Sequence, residues 1–375
     1  MNKYGLSAML LLLYSLSAAA HEVDTRHGAV NDRVEPSPVK VGFSMTFQTA
    51  SRSDVRNEAL ASFDLLSTLQ LGTGELAVYV EGSTTPRRNG VSSVLVEANG
   101  DAGSALDGNG NGRLQVSELH YVWPVLSSYL YTGLINPTGL LDSSDVANDE
   151  TRQFIGASFV NNPSIDFPDY TLGVAWHLSR DTTKLGAVIF FGSSHGIADN
   201  PSASYSELFD IKDSGKGVFA AAELYLPVRG TTIRSGIWVN SADHERFEQH
   251  SVHSRNYGIY ANIDGQAGEG QWNLRLGVAN EDVSDEAFFA ATVLEYPLAD
   301  MALGMGLAYT GLSDKIKDTQ ADDMTQTEVY ARFTLPGQFE LTPSIQWLQN
   351  SGFNKSNSRV ASDAWVGTLR LTWPL

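Results

Sequence analysis

From Val39 onward the chain repeats one pattern, runs of about ten residues in which apolar and polar side chains alternate, each closed by a turn or loop. Val39, Val41, Phe43, Met45 and Phe47 alternate with Lys40, Gly42, Ser44, Thr46 and Gln48. Trp272, Leu274, Leu276 and Val278 alternate with Asn273, Arg275, Gly277 and Ala279, and Met301 to Thr310 repeats the scheme. Period two gives a strand one apolar and one polar face. Sixteen such strands are legible, beginning near residues 39, 62, 75, 116, 126, 171, 184, 217, 231, 255, 271, 286, 301, 325, 338 and 363. An even number is what a closed bacterial barrel uses. The strand near 217 departs from the rule, with apolar residues on both faces.

The connections alternate in length. Short turns (Gly72 to Gly74, Pro124-Val125, Arg180 to Thr183, Pro227 to Gly230, Gly265 to Gly270, Leu298 to Asp300, Pro336-Gly337) separate longer loops near 49–61, 83–115, 135–170, 193–216, 242–254, 281–285, 312–324 and 349–362. A barrel threaded through an outer membrane has short periplasmic turns and long outer loops, whereas a soluble β-sandwich has no reason to alternate. The expected fold is all-β: a transmembrane antiparallel β-barrel over residues 39–375.

Residues 1–20 read as a secretory signal peptide: Lys3, an apolar core from Leu6 to Leu16, and Ala18-Ala19-Ala20 before His21. Residues 21–38 are then a periplasmic N-terminal segment. The chain has no cysteine, so an exported protein of this composition must be held by something other than disulfides. Interstrand hydrogen bonds of a closed sheet serve. With 25 basic and 43 acidic residues the net charge is −18, which argues against a nucleic-acid partner. Outer-membrane lipid is the expected surroundings.

Strand parity places Trp123, Trp176, Trp272, Trp347, Trp365 and Trp373 outward, most near strand ends, as interfacial girdles; Trp238 faces inward. Inward positions are mostly small, polar or charged, which suits a water-filled lumen too wide for side chains alone to fill. The longest loop, 135–170, carries Phe154, Phe159 and Phe167 and the acids Asp142, Asp145, Asp149, Glu150, Asp166 and Asp169 against Arg152 alone. Its aromatic and proline content is unlike a disordered segment, so it is expected to fold into the lumen as a constriction. Inward Trp238 and Tyr260 with the loop phenylalanines are expected to offer apolar surface to sugar rings. Lys40, Arg234, Arg275, Arg332 and Arg370 also face inward, yet all except Arg275 lie near the periplasmic strand ends. No arginine ladder opposes the loop acids on this reading, which favours neutral or cationic solutes.

Leu119-His120-Tyr121-Val122-Trp123, Tyr129-Leu130-Tyr131-Thr132-Gly133-Leu134-Ile135-Asn136, and the stretch from Phe154 through Asn161-Asn162-Pro163 to Phe167-Pro168-Asp169-Tyr170 resemble the OprB family of carbohydrate-selective porins. The resemblance covers about residues 62 to 240. It implies a sixteen-stranded channel, often trimeric, that passes sugars.

Asp107-Gly-Asn109-Gly-Asn111-Gly-Arg113-Leu-Gln115-Val-Ser-Glu118 fits a twelve-residue calcium loop without flanking helices. Asp107, Asn109 and Asn111 would give side-chain oxygens, Arg113 its carbonyl, Gln115 a water-bridged contact and Glu118 a bidentate carboxylate. With two acidic ligands, affinity near ~10⁻⁴–10⁻³ M is expected; an ion-free Gly/Asn turn is the alternative. His195, His244, His250 and His253 read as solvated loop residues, inward His177 stands alone, and Ser194-His195 lacks a positioned acid. No catalytic residue is assigned. The expected function is passive diffusion of small solutes, sugars foremost. The alternatives are a general or weakly cation-preferring porin, a structural or adhesive barrel, a lipid- or peptide-hydrolysing barrel, and a polysaccharide exporter.

Overall fold

A computed structural model describes residues 39–102, 105–179, 184–197, 205–212, 216–317, 322–351 and 361–375. The expected signal peptide and N-terminal segment, the turn Arg180 to Thr183 and the side chain of His250 lie outside the described residues. Sixteen strands form one closed antiparallel barrel. They are β1 (Lys40–Ala50), β2 (Glu58–Leu71), β3 (Gly74–Ser83), β4 (Leu114–Val125), β5 (Ser128–Ile135), β6 (Thr171–His177), β7 (Gly186–Ser193) and β8 (Val218–Val228). The second half comprises β9 (Thr231–Arg246), β10 (Gln249–Ala267), β11 (Gly270–Ala279), β12 (Glu286–Leu298), β13 (Met301–Leu312), β14 (Met324–Thr334), β15 (Glu340–Ser351) and β16 (Ser362–Trp373). Each strand pairs with its sequence neighbours, and β1 closes the ring on β16 from Phe43↔Trp373 to Ala50↔Val366. Every strand thus finds partners on both edges, which only closure achieves.

Alternation sets the two surfaces. Leu69, Val174, Phe191, Leu224, Ile237, Ile259, Met305, Ile345 and Trp365 are exposed on the outer face. Inward partners such as Ser44, Thr46, Asn262, Asn273, Gln346 and Thr372 are buried and polar. No helix among the described residues is long and apolar enough to cross a membrane.

Two local expectations are corrected and a third feature is explained. The loop expected at 242–254 is a ribbon: β9 runs to Arg246 and β10 starts at Gln249. Beyond the apolar belt both faces of a hairpin meet water, so no alternation marks it. Pro124-Val125 closes β4, and the turn is Leu126-Ser127, with Leu126 at φ 52°. The strand near 217, β8, is apolar on its inner face because a loop packs there: Phe219 and Ala221 are buried with Trp238 and Ile165.

Candidate functional site: the barrel interior

The loop between β5 and β6 lies inside the barrel, and strand side chains hold its backbone along the way. At β8, Glu223 accepts the Asp142 N–H (2.7 Å). At β10, Asn262 donates to the Asp142 carbonyl (2.8 Å) and Asp264 accepts from Ser144 Oγ (2.5 Å). At β11, Arg275 donates to the carbonyls of Phe159 (2.9 Å), Val160 (3.1 Å), Asp142 (3.0 Å) and Ala147 (3.1 Å), and to Asn148 Oδ1. At β14, the Glu328 carboxylate accepts the Ile155 and Gly156 N–H groups (3.3 and 2.9 Å). At β15 and β16, Glu340 forms a two-point pair with Arg152 (2.8 and 3.0 Å), Arg370 donates to the carbonyls of Glu150 (2.5 Å) and Gln153 (2.7 Å), and Thr372 donates to that of Thr151 (2.8 Å). The expected constriction loop is therefore in the lumen.

Its aromatic side chains do not line a sugar path, which corrects the expectation. Phe154 and Phe159 are 1 % exposed and pack with Tyr330, Phe289 and Ala308. Phe154 meets Tyr330 edge-on at 4.9 Å. Trp238 and Tyr260 are 3 % exposed in a second cluster, against which Phe167 packs, 5.7 Å from Phe219. Burial of apolar rings glues the loop to the wall, so the face that could have met a solute is spent. Glycines make the fit: a Cβ on Gly306 would stand 2.7 Å from Phe159 and one on Gly236 2.2 Å from Tyr260.

The inward arginines are also relocated in role. Arg332 and Arg370 sit near the short-turn end, as parity implied, but the loop descends to meet them: Arg332 donates to the Arg152 carbonyl (2.7 Å) and to Glu295 (3.0 Å). Arg275 and Arg370 are 1 % and 2 % exposed, behind the loop. Arg234 pairs with Asp264 at 2.6 Å. Lys40 faces inward at the start of β1, opposite Leu66. Asp166, at the loop's far end, accepts from Asn240 (2.8 Å) and His244 (3.0 Å), while Asp169 stays half-buried.

Coverage by the loop is one-sided. Inward residues of β8 to β16 are mostly buried, whereas Asp64, Leu66, Thr68, Tyr79, His120, Val122 and Tyr131 on β2 to β5 stay partly open. The barrel interior is most accessible along that wall. Tyr79 donates to Asp64 (2.8 Å), Asp64 is within electrostatic reach of Asp101 and Asp149, and Glu150 of Asp101 and Asp149. Burial pushes the Asp101 carboxyl above its ordinary range and that of Glu150 well above it, with neighbouring acids adding to the shift. His120 and Tyr131 lie 5.8 Å apart between ring centres, and His120 Nδ1 is 3.3 Å from Glu118. These lumen residues were missed from sequence. Parity places them inward but says nothing of which wall the loop leaves bare.

The calcium set is not assembled as expected. Asp107 Oδ1 accepts the N–H groups of Asn109 (2.8 Å) and Asn111 (2.9 Å), and Gly110 takes φ 77°. A bulge opposite Tyr79-Val80 turns both Ser117 and Glu118 inward, so Glu118 sits four residues into β4 beside His120 and the Asn136 N–H (3.4 Å). An extended strand advances about 3.3 Å per residue and carries that carboxylate away from Asp107. Gln115 points inward to Ser117 (3.0 Å), and Arg113 reaches Gln115. The Asn111 and Asn109 amides hold the Asp107 carboxyl below its usual range. Among histidines, His195 Nε2 faces the Glu207 carbonyl (2.8 Å) and Nδ1 faces Ser193 Oγ (3.1 Å), a hydroxyl on a residue only 4 % exposed.

No family model matches the chain. It is 33 % identical over 73 residues to an uncharacterized protein of Aquifex aeolicus (strain VF5), a match of 20 % of this chain that spans about a quarter (24 %) of that protein. Among solved structures it is similar to Pseudomonas putida OprB in a high-pH structure, with TM-score 0.70 and 12 % identity over 90 % of this chain and 94 % of that one. OmpT, an outer membrane protein of Vibrio cholerae in its trimer form, gives TM-score 0.55 at 12 % identity over 90 % and 100 %. Salmonella typhi OmpF in complex with daunomycin gives 0.57 at 9 % over 90 % and 97 %. At such identities the likeness shows a shared porin-like barrel fold.

Proposed function

We propose that the protein is a passive, water-filled channel of a Gram-negative outer membrane, passing small neutral or cationic polar solutes. The barrel's apolar outside suits lipid and its polar inside suits water. One observation carries the selectivity: Arg275 and Arg370 are bonded behind the loop, while acids border the open wall of β2 to β5. Solutes move down their own gradient, and no residue performs chemistry on them. A buried Ser193 whose histidine is oriented by a carbonyl gives no support to a hydrolase.

Sugars are the neutral class we favour, on the resemblance noted above and on the His120–Tyr131–Glu118 group, which sets ring faces beside a carboxylate able to accept hydroxyl hydrogens. Assembly as a homotrimer is proposed from the trimer form of a structural neighbour. Calcium on Asp107, Asn109, Asn111 and the Arg113 carbonyl, without Glu118, is a further proposal. Planar-bilayer recordings with liposome swelling test the whole reading. Ohmic conductance, a cation-signed reversal potential and sugar-dependent swelling are expected; a silent barrel or strong anion selectivity would reject it.

A further inference from the structure

His244 reads from sequence as a solvated loop residue, whereas the structure gives each of its ring nitrogens a partner. Nδ1 lies 2.9 Å from the Ala242 carbonyl and Nε2 lies 3.0 Å from the Asp166 carboxylate. A carbonyl oxygen and a carboxylate only accept, so each nitrogen has to donate. An imidazole that donates from both nitrogens is the protonated, cationic form. His195 differs: its Nδ1 faces the Ser193 hydroxyl, which can itself donate, so a neutral ring satisfies both of its contacts. The hydrogen bond to Asp166 holds the His244 ring above its ordinary pKa, against the opposing pull of burial.

Asp166 lies where the loop from β5 leaves the wall, shortly before β6 begins at Thr171. Ile165 before it is buried in the cluster around Trp238, and Phe167 after it packs 5.7 Å from Phe219. Its carboxylate also accepts from the amides of Asn240 on β9 (2.8 Å) and Asn256 on β10 (3.4 Å), each 3 % exposed. Among the described residues His244 is the one cation that pairs with it. The charges around the pair are acidic. Asp243 on β9 acts on the ring through space, and Glu286 on β12 lies within electrostatic reach of Asp166. On β10, Ser254 stands opposite His244, and His253 stands opposite the exposed Glu245. Asp282, after β11, is engaged by Arg246 and Lys315. Once the ring is neutral it keeps a donor for one acceptor only, and Asp166 then faces Glu286 without a counterion.

We propose that His244, as an imidazolium, is a positioning residue of the passage: it latches the far end of the loop 135–170 through Asp166, so that the loop's hold on the wall follows the pH of the external medium. The role in the passage rests on the channel reading, which places the long-loop end of the barrel outside. The latch itself rests on the two bonds of the ring. It is complete below the ordinary imidazole value of about 6.5 and is released as pH rises through the raised one. Without it the two asparagines still hold Asp166, so the loop end loosens and does not leave the lumen.

Nitrogen NMR of histidine-labelled barrel in detergent reads the ring directly, with His244→Gln assigning its signal and the mobility of the unheated barrel on gels as the folding check. In the wild type both His244 nitrogens are expected to carry protons at about pH 7 and to titrate above an ordinary imidazole. A ring that titrates at or below the ordinary value overturns the latch. Asp166→Asn keeps the shape and removes the charge, so it is expected to bring the titration down; an unmoved titration also overturns it. In planar bilayers from about pH 5 to 9, open-channel noise of the wild type is expected to grow as pH rises. His244→Gln can donate but does not titrate, and its noise is expected to be the same at every pH. A conducting wild type whose noise ignores pH, or a His244→Gln channel that keeps the wild-type dependence, overturns the role in the passage. A silent wild type sinks the channel reading, while the ring titration still decides the latch.

Discussion

Arg275 on β11 lies with its Nε 3.5 Å from the Asp142 carboxylate, although 133 residues separate the two in sequence. Its guanidinium spends both terminal nitrogens on the loop backbone, so one cation organises the entry and the exit of the segment Asp142 to Val160. The positive charge is thereby placed behind the obstruction and not in the passage.

Replacing that side chain should unfasten the loop. Arg275→Met leaves the buried Asp142 carboxylate without its cation and the Phe159 and Ala147 carbonyls without that donor, and breaking a buried ion pair in this way costs about 3–5 kcal/mol. Arg275→Lys recovers only part, since a point charge cannot span acceptors that a planar fork reaches. The expected outcome in urea titrations of detergent-solubilised barrel is a lower midpoint for both, with larger and noisier conductance for Met. An unchanged midpoint and conductance would show that the loop is held elsewhere.

Gly306 is the seat of Phe159 and Phe154 on β13. Gly306→Leu forces the rings off the wall, with overpacking worth about 1–3 kcal/mol. The loop is then expected to shift into the free lumen and reduce conductance. Gly306→Ala should do so more weakly, and an equal or greater effect of Ala would contradict the steric account.

The acids of the loops after β3 and β5 set a pH dependence. Burial raises the carboxyls of Asp101 and Glu150, so on acidification they take up protons before an ordinary carboxylate near 4 would. Cation preference should therefore begin to fade above that range as pH falls. A raised folded-state value also means that the protonated form favours the fold: its contribution is complete below the unfolded value and is lost as pH rises through the folded one. Reversal potentials and unfolding midpoints across the acid range check both signs; selectivity that grows on acidification would refute them.

Asp107 has the opposite sign. Its carboxyl is held low by the Asn111 and Asn109 amides, so the turn persists as pH falls through the ordinary range and is lost only when pH reaches the folded value. Asp107→Ala should speed amide exchange at both asparagines. In calcium calorimetry any heat should be weaker than the ~10⁻⁴–10⁻³ M sites of extracellular modules, abolished by Asp107→Ala and untouched by Glu118→Gln. Loss of the heat in Glu118→Gln would mean that Glu118 reaches the loop after all.

The interior is legible in the sequence where period and charge decide it. The loop of 135–170 could be expected in the lumen because its aromatic residues need burial, and Arg275 could be placed inward by parity. The same aromatic residues misled as to function: their need for burial is met by the wall, which leaves none for a solute. Arg332 and Arg370 were legible as inward and low, but the depth to which the loop descends was not, because backbone carbonyls that accept their protons leave no mark in a sequence. The docking of Val91 to Ala98 against Leu348, Ala364 and Val366 on β15 and β16 carried a signal, an apolar run within a long loop, that period two does not interpret.

Alternation alone fixed the barrel, since a strand with one apolar and one polar face is stable between lipid and water only when its edges are closed on themselves. Strand number, direction and the inward or outward sense of nearly every side chain follow from counting in twos, with the bulge at Ser117-Glu118 as an exception. What the tertiary structure decided is the shape of the hole. Which wall the loops cover depends on contacts between residues more than a hundred positions apart, such as Arg370 with Glu150 and Glu328 with Gly156. Those contacts are settled by fit and by hydrogen-bond geometry across the lumen, quantities that a one-dimensional pattern does not contain.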